Sequence, residues 1–313
     1  LESQPRVSRA WPKWKISIVA MFAMALFLTF NIETLAFYGR KLIGYDSIMS
    51  GDLIELNESG MGQIIGKSYT FENGVVVTLD GVMVDDNQLI AYYTMKDPSG
   101  EKRFEDIGTY LGMKGKTREY MPQHGQGEIS GDEKEIKMVV VYDPPLPGEK
   151  ELKWRTTSKL PDGTIETGEI SFELDKSKAM GHTFSKRIDR IIKIDGGKMR
   201  LETIKASPTT TIIKGKLQNI IELALDHVTN NRIRPIGVDI RLIANGEEIP
   251  WRSRGIKTDL KGINFQTAFD PLPMELQSLQ IHLTGLTADY DVDKQFPLQK
   301  GNIKRTIQVR KQD

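Results

Sequence analysis

A glycine-rich segment at residues 60–68 (GMGQIIGKS) comes nearest in this sequence to a phosphate-binding loop. A P-loop requires a glycine five positions before the glycine of Gly-Lys-Ser, and Met61 occupies that position. The loop must also lead into a helix whose N-terminal amides hold the phosphate, whereas Tyr69, Thr70 and Phe71 favour a strand. The sequence therefore favours a loop that enters a strand over a nucleotide site.

Nucleophilic, acid–base and metal chemistry have little support in the residue types. No two histidines lie within one helical turn of each other, so a metal or catalytic cluster would have to be assembled by tertiary folding alone. The absence of cysteine excludes disulfides, thiol nucleophiles and thiolate zinc sites, and no Gly-x-Ser-x-Gly elbow occurs. We expect no enzyme, no cofactor and no metal, with surface or capping roles for the histidines. These are His124, His182, His227 and His282.

Two groups of carboxylates could supply oxygen ligands to calcium: Asp85 with Asp86, and Asp289 with Asp291 and Asp293. The second group has alternate carboxylates, but it lacks the glycine and the closing glutamate of an EF-hand loop. Solvated turn carboxylates are the favoured interpretation of both groups.

The second half of the chain contains a basic stretch in which acidic residues are interleaved. The whole chain is nearly neutral, with 43 Lys+Arg against 42 Asp+Glu, which argues against a nucleic-acid binder. A solvated face is favoured, and contact with teichoic acid or anionic lipid is the minor alternative. The cations are Arg232, Arg234, Arg241, Arg252, Arg254, Lys257 and Lys261.

The element that would position all of these groups relative to the cell is an apolar run at residues 16–30. A helix needs about 20 residues to cross the hydrocarbon core, so the run must extend to Phe37 to span it. Cations that precede an apolar run remain in the cytoplasm, and tryptophan favours the lipid–water boundary. The predicted membrane-anchor flank is Trp11, Lys13, Trp14 and Lys15.

Three interpretations of this run stay open. The favoured one is a signal-anchor helix from Trp14 to Phe37, which places the protein in the cell membrane as a single-pass chain with a cytoplasmic N-terminus. The second is a signal peptide cleaved after Ala36. The third is a buried helix of a soluble core, which would usually carry a polar face. Either export interpretation places everything after Gly39 outside the cell.

Beyond the run, the pattern changes from helical to β. Residues 35–56 have apolar residues at near-helical spacing, which predicts one or two short amphipathic linker helices. From about residue 60, short β-branched runs alternate with turn signals. Asn73-Gly74 predicts a hairpin with a type I′ turn, and Asn245-Gly246 predicts another hairpin. Residues 303–309 predict a last strand.

The β pattern occurs twice. A shift of 122 residues places Asn73-Gly74 on Asp195-Gly196, and a shift of 127 places the Asp-Pro-Pro-Leu-Pro segment at 143–147 on Asp-Pro-Leu-Pro at 270–273. This order suggests a duplicated β-sandwich domain of about 125 residues. The expected domains are a cytoplasmic stub and anchor at 1–37, an amphipathic linker at 38–58, and sandwiches at 59–177 and 178–313.

The order of features resembles a family of Gram-positive single-pass membrane proteins with DUF-type ectodomains that is associated with anti-sigma factors. The resemblance is carried by the anchor, the GDLIELN segment at 51–57, the GVMVDD segment at 81–86 and the GVDIRL segment at 237–242. It implies a mainly β fold: an N-terminal transmembrane helix and short linker helices, then two Ig-like sandwiches without enzyme activity.

One departure from the family matters. Its anti-sigma members carry a cytoplasmic helical domain before the membrane, whereas fifteen residues without His or Cys precede Ile16 here, and the first residue is Leu1 rather than Met. Either the N-terminus is truncated or the protein is an ectodomain with another output. We expect an extracytoplasmic sensor or binding protein, with the membrane and a protein or cell-envelope ligand as partners. The alternative is an exported structural or adhesive wall-associated protein.

Overall fold

The computed structural model describes residues 42–313, apart from 101–111, 161, 195–196, 220, 223, 226–233, 291, 298–304 and 310–313. The apolar run at 16–30, its flank (Trp11, Lys13, Trp14 and Lys15) and the extension to Phe37 lie outside the described residues. Among the residues that are described, no helix has the length and apolarity needed to cross a bilayer.

The described part of the chain is mainly β, with four sheets and one α-helix, α1 (Gly51–Glu58). The linker prediction at 35–56 therefore corresponds to this helix and to the turns that precede it from residue 42 onward.

The first sandwich consists of two antiparallel sheets. Sheet 1A has the order β1-β2-β3-β7-β6, and sheet 1B has the order β5-β4-β8-β9. The strands are β1 (Gln63–Thr70), β2 (Val76–Val84), β3 (Leu89–Lys96), β4 (Gly112–Lys114), β5 (Glu119–Tyr120), β6 (Pro122–Ile129), β7 (Glu135–Tyr142), β8 (Glu151–Lys159) and β9 (Ile165–Glu173).

The second sandwich is built in the same way. Sheet 2A has the order β10-β11-β12-β16-β15, and sheet 2B has the order β14-β13-β17-β18, with β19 also paired to β17. The strands are β10 (Phe184–Ile194), β11 (Gly197–Ala206), β12 (Thr211–Asn219), β13 (Arg234–Ala244), β14 (Glu247–Ile249), β15 (Trp251–Asp259), β16 (Gly262–Phe269), β17 (Leu279–Tyr290), β18 (Val292–Pro297) and β19 (Arg305–Val309).

Strands β1 to β9 correspond one by one to β10 to β18, and the order within each sheet is the same. The correspondence extends to register. Met83 faces Ile90 in the first sandwich, and Lys205 faces Ile212 in the second, both displaced by the 122 residues found in the sequence. The irregularity after Leu79 in β2 recurs after Leu201 in β11. This agreement supports the duplication.

The Asn73-Gly74 hairpin is present, but its turn is not type I′. A type I′ turn needs positive φ at both central residues, and of this pair only Gly74 has it, at 86°. Asn73 instead uses its side chain: Oδ1 accepts from the Val75 amide at 3.1 Å, and Nδ2 donates to Ser158 Oγ at 2.9 Å. Both central residues of Asn245-Gly246 have positive φ, at 52° and 91°, as a type I′ turn requires.

Each sandwich buries its own apolar interior, because alternate residues of each strand face the opposite sheet. In the first sandwich, Trp154 is fully buried, lies 4.8 Å from the ring of Tyr93 and donates its indole N–H to Tyr142 at 3.3 Å. Leu279 and Ile281 occupy the corresponding places of Leu152 and Trp154 in the second interior, and all four are buried.

A third cluster lies outside the first sandwich, where residues 42–58 cover the outer face of sheet 1A. Tyr45 is 1 % exposed, meets the Tyr92 ring edge-on at 5.2 Å and donates its hydroxyl to Asp80 Oδ2 at 2.5 Å. Burial, followed by the charge of Asp80, raises the pKa of Tyr45, so the phenol stays neutral. Asn57 closes the segment, because it accepts from the Leu42 amide at 2.8 Å and donates to the Leu42 carbonyl at 2.9 Å.

We expect Asn57→Ala to lower the free energy of unfolding by about 2 kcal/mol, because it leaves a buried amide and a buried carbonyl of Leu42 without their partner. Urea unfolding measures the change. The matched control is Glu55→Ala on the exposed side of α1, which should change stability by less than about 0.5 kcal/mol. An equal effect of the two substitutions would contradict the role assigned to Asn57.

Candidate functional site

The two sandwiches meet through equivalent turns. The β2–β3 turn is closed by the Asp85 amide, which donates to the Gln88 carbonyl at 3.0 Å. The β11–β12 turn is closed by the Ser207 amide, which donates to the Thr210 carbonyl at 2.9 Å. The duplication therefore places one copy of the same turn on each side of the junction.

Hydrogen bonds between buried side chains join these turns. Asp85 accepts from both the amide (3.1 Å) and the hydroxyl of Thr209. Gln88 Nε2 donates to Thr209 Oγ1 at 2.7 Å, and Asn87 Nδ2 donates to the carbonyls of Lys205 (3.0 Å) and Thr210 (2.9 Å). Because buried polar groups are costly to leave unpaired, this set of bonds fixes one relative orientation of the sandwiches.

Asp85 is 4 % exposed, and its carboxylate also accepts from the amides of Asn87 (2.8 Å) and Gln88 (3.0 Å). Burial raises the pKa of Asp85, while the hydrogen bonds from Thr209, Ser207 and the turn amides oppose that rise. Four hydrogen bonds from Asn87, Gln88 and Thr209 hold this carboxylate, which supports a structural role for Asp85.

The connecting segment, residues 175–183, runs along the same junction. Its Met180 amide donates to the Val84 carbonyl at 3.0 Å, and its Thr183 amide donates to the Ala206 carbonyl at 2.9 Å. Asp86 pairs with both His182 (2.7 Å) and Lys205 (3.5 Å). The segment thus bonds to the end of β2 and to the end of β11, which further restrains the two sandwiches.

A cleft of about 830 Å³ opens beside the junction. The first sandwich contributes Arg118, Asp143 and the loop at 144–149, and the second contributes Lys205, Lys214, Lys257 and Gln266. Arg118 and Asp143 form an ion pair at 2.7 Å, whereas the lysines bring positive charge to the opposite wall. Desolvation lowers the pKa of Lys214, and the charges of Asp143 (raising) and Lys205 (lowering) modify that shift.

A smaller cavity of about 300 Å³ lies between the outer faces of sheets 1A and 2A. His124 and Arg252 line it, and burial followed by the charge of Arg252 lowers the pKa of His124. Arg252 is held by Asp270 (2.5 Å), by the Thr209 carbonyl (3.0 Å) and by Asp52 of α1 (3.6 Å). Its guanidinium therefore links the second sandwich to α1, which covers sheet 1A of the first.

The candidate residues from the sequence do not assemble into a reactive centre within the described ranges. The 60–68 segment enters β1, as expected. His124 lies on β6, His182 on the connecting segment and His282 on β17, while His227 is outside the described residues. The described residues contain no group of three or more His, Asp or Glu side chains arranged to hold a metal. The side chains of Asp289, Asp291 and Asp293 also lie outside the described set.

The basic stretch is largely paired where it is described. Arg241 bonds Glu248, Arg252 bonds Asp270, and Arg254 bonds Asp239 while its guanidinium lies 4.7 Å from the Trp251 ring centre. The junction itself was not predicted, because Asp85 and Thr209 are 124 residues apart and no local pattern relates them. The equivalence of their turns under the 122-residue shift was the available signal.

Residues 6–97 match the family model of DUF4179, a domain of unknown function. The DUF4179 match joins the apolar run to the 42–58 segment and to strands β1, β2 and β3. It therefore includes both the covering segment and part of the sheet face that this segment covers.

Solved structures are similar in fold. A conserved domain protein from Bacillus anthracis covers 79% of this chain and 89% of its own, at 16% identity and a TM-score of 0.50. Bovine butyrophilin covers 74% of this chain and 95% of its own, at 6% identity and a TM-score of 0.18. A search of curated proteins finds no match. The first similarity supports the mainly β sandwich architecture.

We expect Thr209→Val to loosen the junction, because it removes the hydroxyl that serves both Asp85 and Gln88 while keeping the side-chain shape. Unfolding free energy should fall by about 2 kcal/mol, and spin labels on one introduced cysteine in each sandwich should give a broader distance distribution. The control is Thr211→Val, since Thr211 Oγ1 is buried with no hydrogen-bond partner. That variant should keep or raise stability, and a loss equal to that of Thr209→Val would refute the assignment.

The buried carboxylate should also make stability depend on pH. Its pKa is raised above the ordinary value of 3.8, so its contribution is fully present below that value and is lost as pH rises through the folded-state pKa. We expect the stability difference between the native chain and Asp85→Asn to increase in favour of the native chain as pH is lowered through this window. Urea unfolding at several pH values measures it, and a difference that shrinks on acidification would contradict the shift.

Proposed function

We propose that this chain is a membrane-anchored extracytoplasmic binding protein that senses or retains an envelope component and has no catalytic activity. The observation that carries the proposal is the cleft of about 830 Å³, whose walls come from both sandwiches and carry unlike charge. Ligand sites occur preferentially at domain interfaces. A ligand in this cleft would contact both sandwiches and so could favour one of their arrangements over another.

The location rests on the apolar run at 16–30 with its preceding cations, which is typical of a signal anchor with the N-terminus inside. The DUF4179 match spans this run and continues into the first sandwich, so both contribute to the same matched segment. The association with anti-sigma factors belongs to the same proposal, since the resemblance suggests an output through the membrane. The alternative is an exported structural or adhesive protein that is released by cleavage after Ala36.

The absence of cysteine allows a direct test with introduced thiols. Lys257→Cys places a thiol on the cleft wall, and Lys159→Cys places one at the exposed end of β8, away from the cleft lining. Both should react with a membrane-impermeant maleimide on intact cells. In cells the cleft thiol should react more slowly than the control, and after purification the two rates should converge, because the ligand has been removed.

Mass spectrometry of the labelled chain separates the alternatives. An intact N-terminal region in the membrane fraction supports the anchor, whereas a chain that starts at Phe37 supports the released form. Labelling of both thiols only after cell breakage would refute an extracytoplasmic location. If the ratio of the cleft-thiol rate to the control-thiol rate is the same in intact cells and in the purified chain, the idea of an occupied cleft would be refuted.

A further inference from the structure

The outer face of sheet 2A carries a cluster of cations that we call the basic face: Arg200, Lys205, Lys214, Lys216 and Lys257. Register places them side by side. Arg200 faces Lys216, Lys216 faces Asn264, and Asn264 faces Lys257, so three cations lie in one row across four neighbouring strands. Lys214 faces Gln266 one step along the same strands. Ile213, Leu217 and Phe265, which alternate with these residues, point into the sandwich interior.

This arrangement is unfavourable unless something neutralises it, because like charges directly opposite each other destabilise a sheet. Some of the charge is met within the chain: Arg200 has Asp189 at 3.5 Å, and Lys205 has Asp86 at 3.5 Å. In the described part of the chain, no carboxylate forms an ion pair with Lys214, Lys216 or Lys257. Burial lowers the pKa of Lys214 and the charge of Asp143 opposes that shift, but Asp143 itself is paired with Arg118.

The first sandwich indicates what this face is used for. Under the shared topology, Lys205, Lys214 and Lys216 correspond to Met83, Tyr92 and Thr94. Lys257 corresponds to Glu128, because Glu128 pairs with Lys137 in the first repeat as Lys257 pairs with Asn264 in the second. Met83 and Tyr92 are buried beneath residues 42–58 of the same chain. Ser47 of that segment donates to Glu128, and the Thr94 hydroxyl joins Tyr45 at Asp80.

The same sheet face therefore accepts a covering chain in the first repeat. In the second repeat, Lys205 and Lys214 replace the apolar Met83 and Tyr92, and Lys216 replaces Thr94, while Ile90 corresponds to Ile212. A face with this charge would fit an extended chain of anions in place of an apolar peptide segment.

We propose that the basic face binds a single extended phosphodiester polymer. Lysine is a frequent phosphate ligand, and Gln266, which faces Lys214, provides an amide donor for a remaining phosphate oxygen. Lys214 and Lys216 are alternate residues of one strand and so lie about 7 Å apart, whereas Arg200 faces Lys216 from the neighbouring strand at about 4.8 Å. Successive phosphates of an extended polymer would each meet a cation at these spacings.

The proposed ligand is a single extended polymer rather than a membrane surface, because part of the basic face lies inside the cleft. Lys205, Lys214 and Lys257 form one wall of the cleft, and Asp143 with the loop at 144–149 of the first sandwich forms the other. The carboxylates of that wall are already bonded within the first sandwich, Asp143 to Arg118 and Glu149 to Tyr120. A flat bilayer cannot enter this space, whereas one polymer chain can. The inference rests on the proposed function for where the polymer is met, but its chemistry can be tested independently.

The test uses the full chain in a non-ionic detergent and a synthetic glycerol-phosphate oligomer, with binding measured by calorimetry at several salt concentrations. The native chain should bind with an affinity that falls steeply with salt, as counterion release requires. Lys214→Gln combined with Lys216→Gln should weaken binding by about tenfold or more and lower the salt slope by about two. The melting temperature of this variant should not fall, because a like-charge contact has been removed.

The matched control is Lys114→Gln combined with Lys159→Gln, which removes the same charge from exposed positions of the first sandwich. It should leave binding within about twofold of the native chain. Equal weakening by both pairs would refute a specific face, as would the absence of binding.

Stronger competition by detergent micelles that contain phosphatidylglycerol would reassign the face to lipid, and tenfold tighter binding of a thymidine oligonucleotide would reassign it to nucleic acid. If the oligomer binds but the introduced thiols are not labelled on intact cells, the extracytoplasmic location would be rejected and the polymer-binding proposal would stand.

Discussion

The carboxylate of Asp85 imposes the constraint on which the arrangement of the described chain depends. A buried charge must be surrounded by donors, and half of the donors to Asp85 belong to its own turn while the others belong to Thr209 of the second sandwich. Rotating one sandwich against the other would remove both Thr209 donors from this carboxylate. The cleft and the smaller cavity therefore have defined walls, because the residues that face each other across them are fixed by the same junction.

Duplication explains why such a junction can exist. Each repeat contributes the same turn between its second and third strands, so the two copies meet as related surfaces. Their sequences have since diverged: Asp85, Asn87 and Gln88 supply side-chain acceptors and donors in one copy, whereas Thr209 and the carbonyl of Thr210 complement them in the other.

The outer faces of the equivalent sheets have diverged further. In the first repeat the face is apolar, and residues 42–58 cover it through Tyr45, Leu53 and their neighbours. In the second repeat, Lys205 and Lys214 take the places of Met83 and Tyr92, while Ile212 and Ala268 take the places of Ile90 and Val141. Apolar burial stabilises the first face within the chain. Among the described residues, the cations of the second face are neutralised only in part, by Asp189 at Arg200 and by Asp86 at Lys205. The proposal that the second face binds an anionic polymer follows from that difference. The positions that would supply affinity are those where lysine replaces an apolar residue, so binding there would come at the expense of stability.

The sequence by itself determined the mainly β class, most strand positions, the 122-residue repeat and the hairpins, because alternation and turn residues are local signals. It favoured a solvated face for the basic stretch, since acidic residues are interleaved with it, and the tertiary structure adds that Arg241, Arg252 and Arg254 are ion-paired. It did not establish the turn type at Asn73-Gly74, because that depends on the contact with Ser158, 85 residues away. The contact between Asp85 and Thr209, the covering of sheet 1A by residues 42–58 and the row formed by Arg200, Lys216 and Lys257 were decided only by the tertiary structure. Each depends on strand order and on register between distant segments, which no local pattern of residue types specifies.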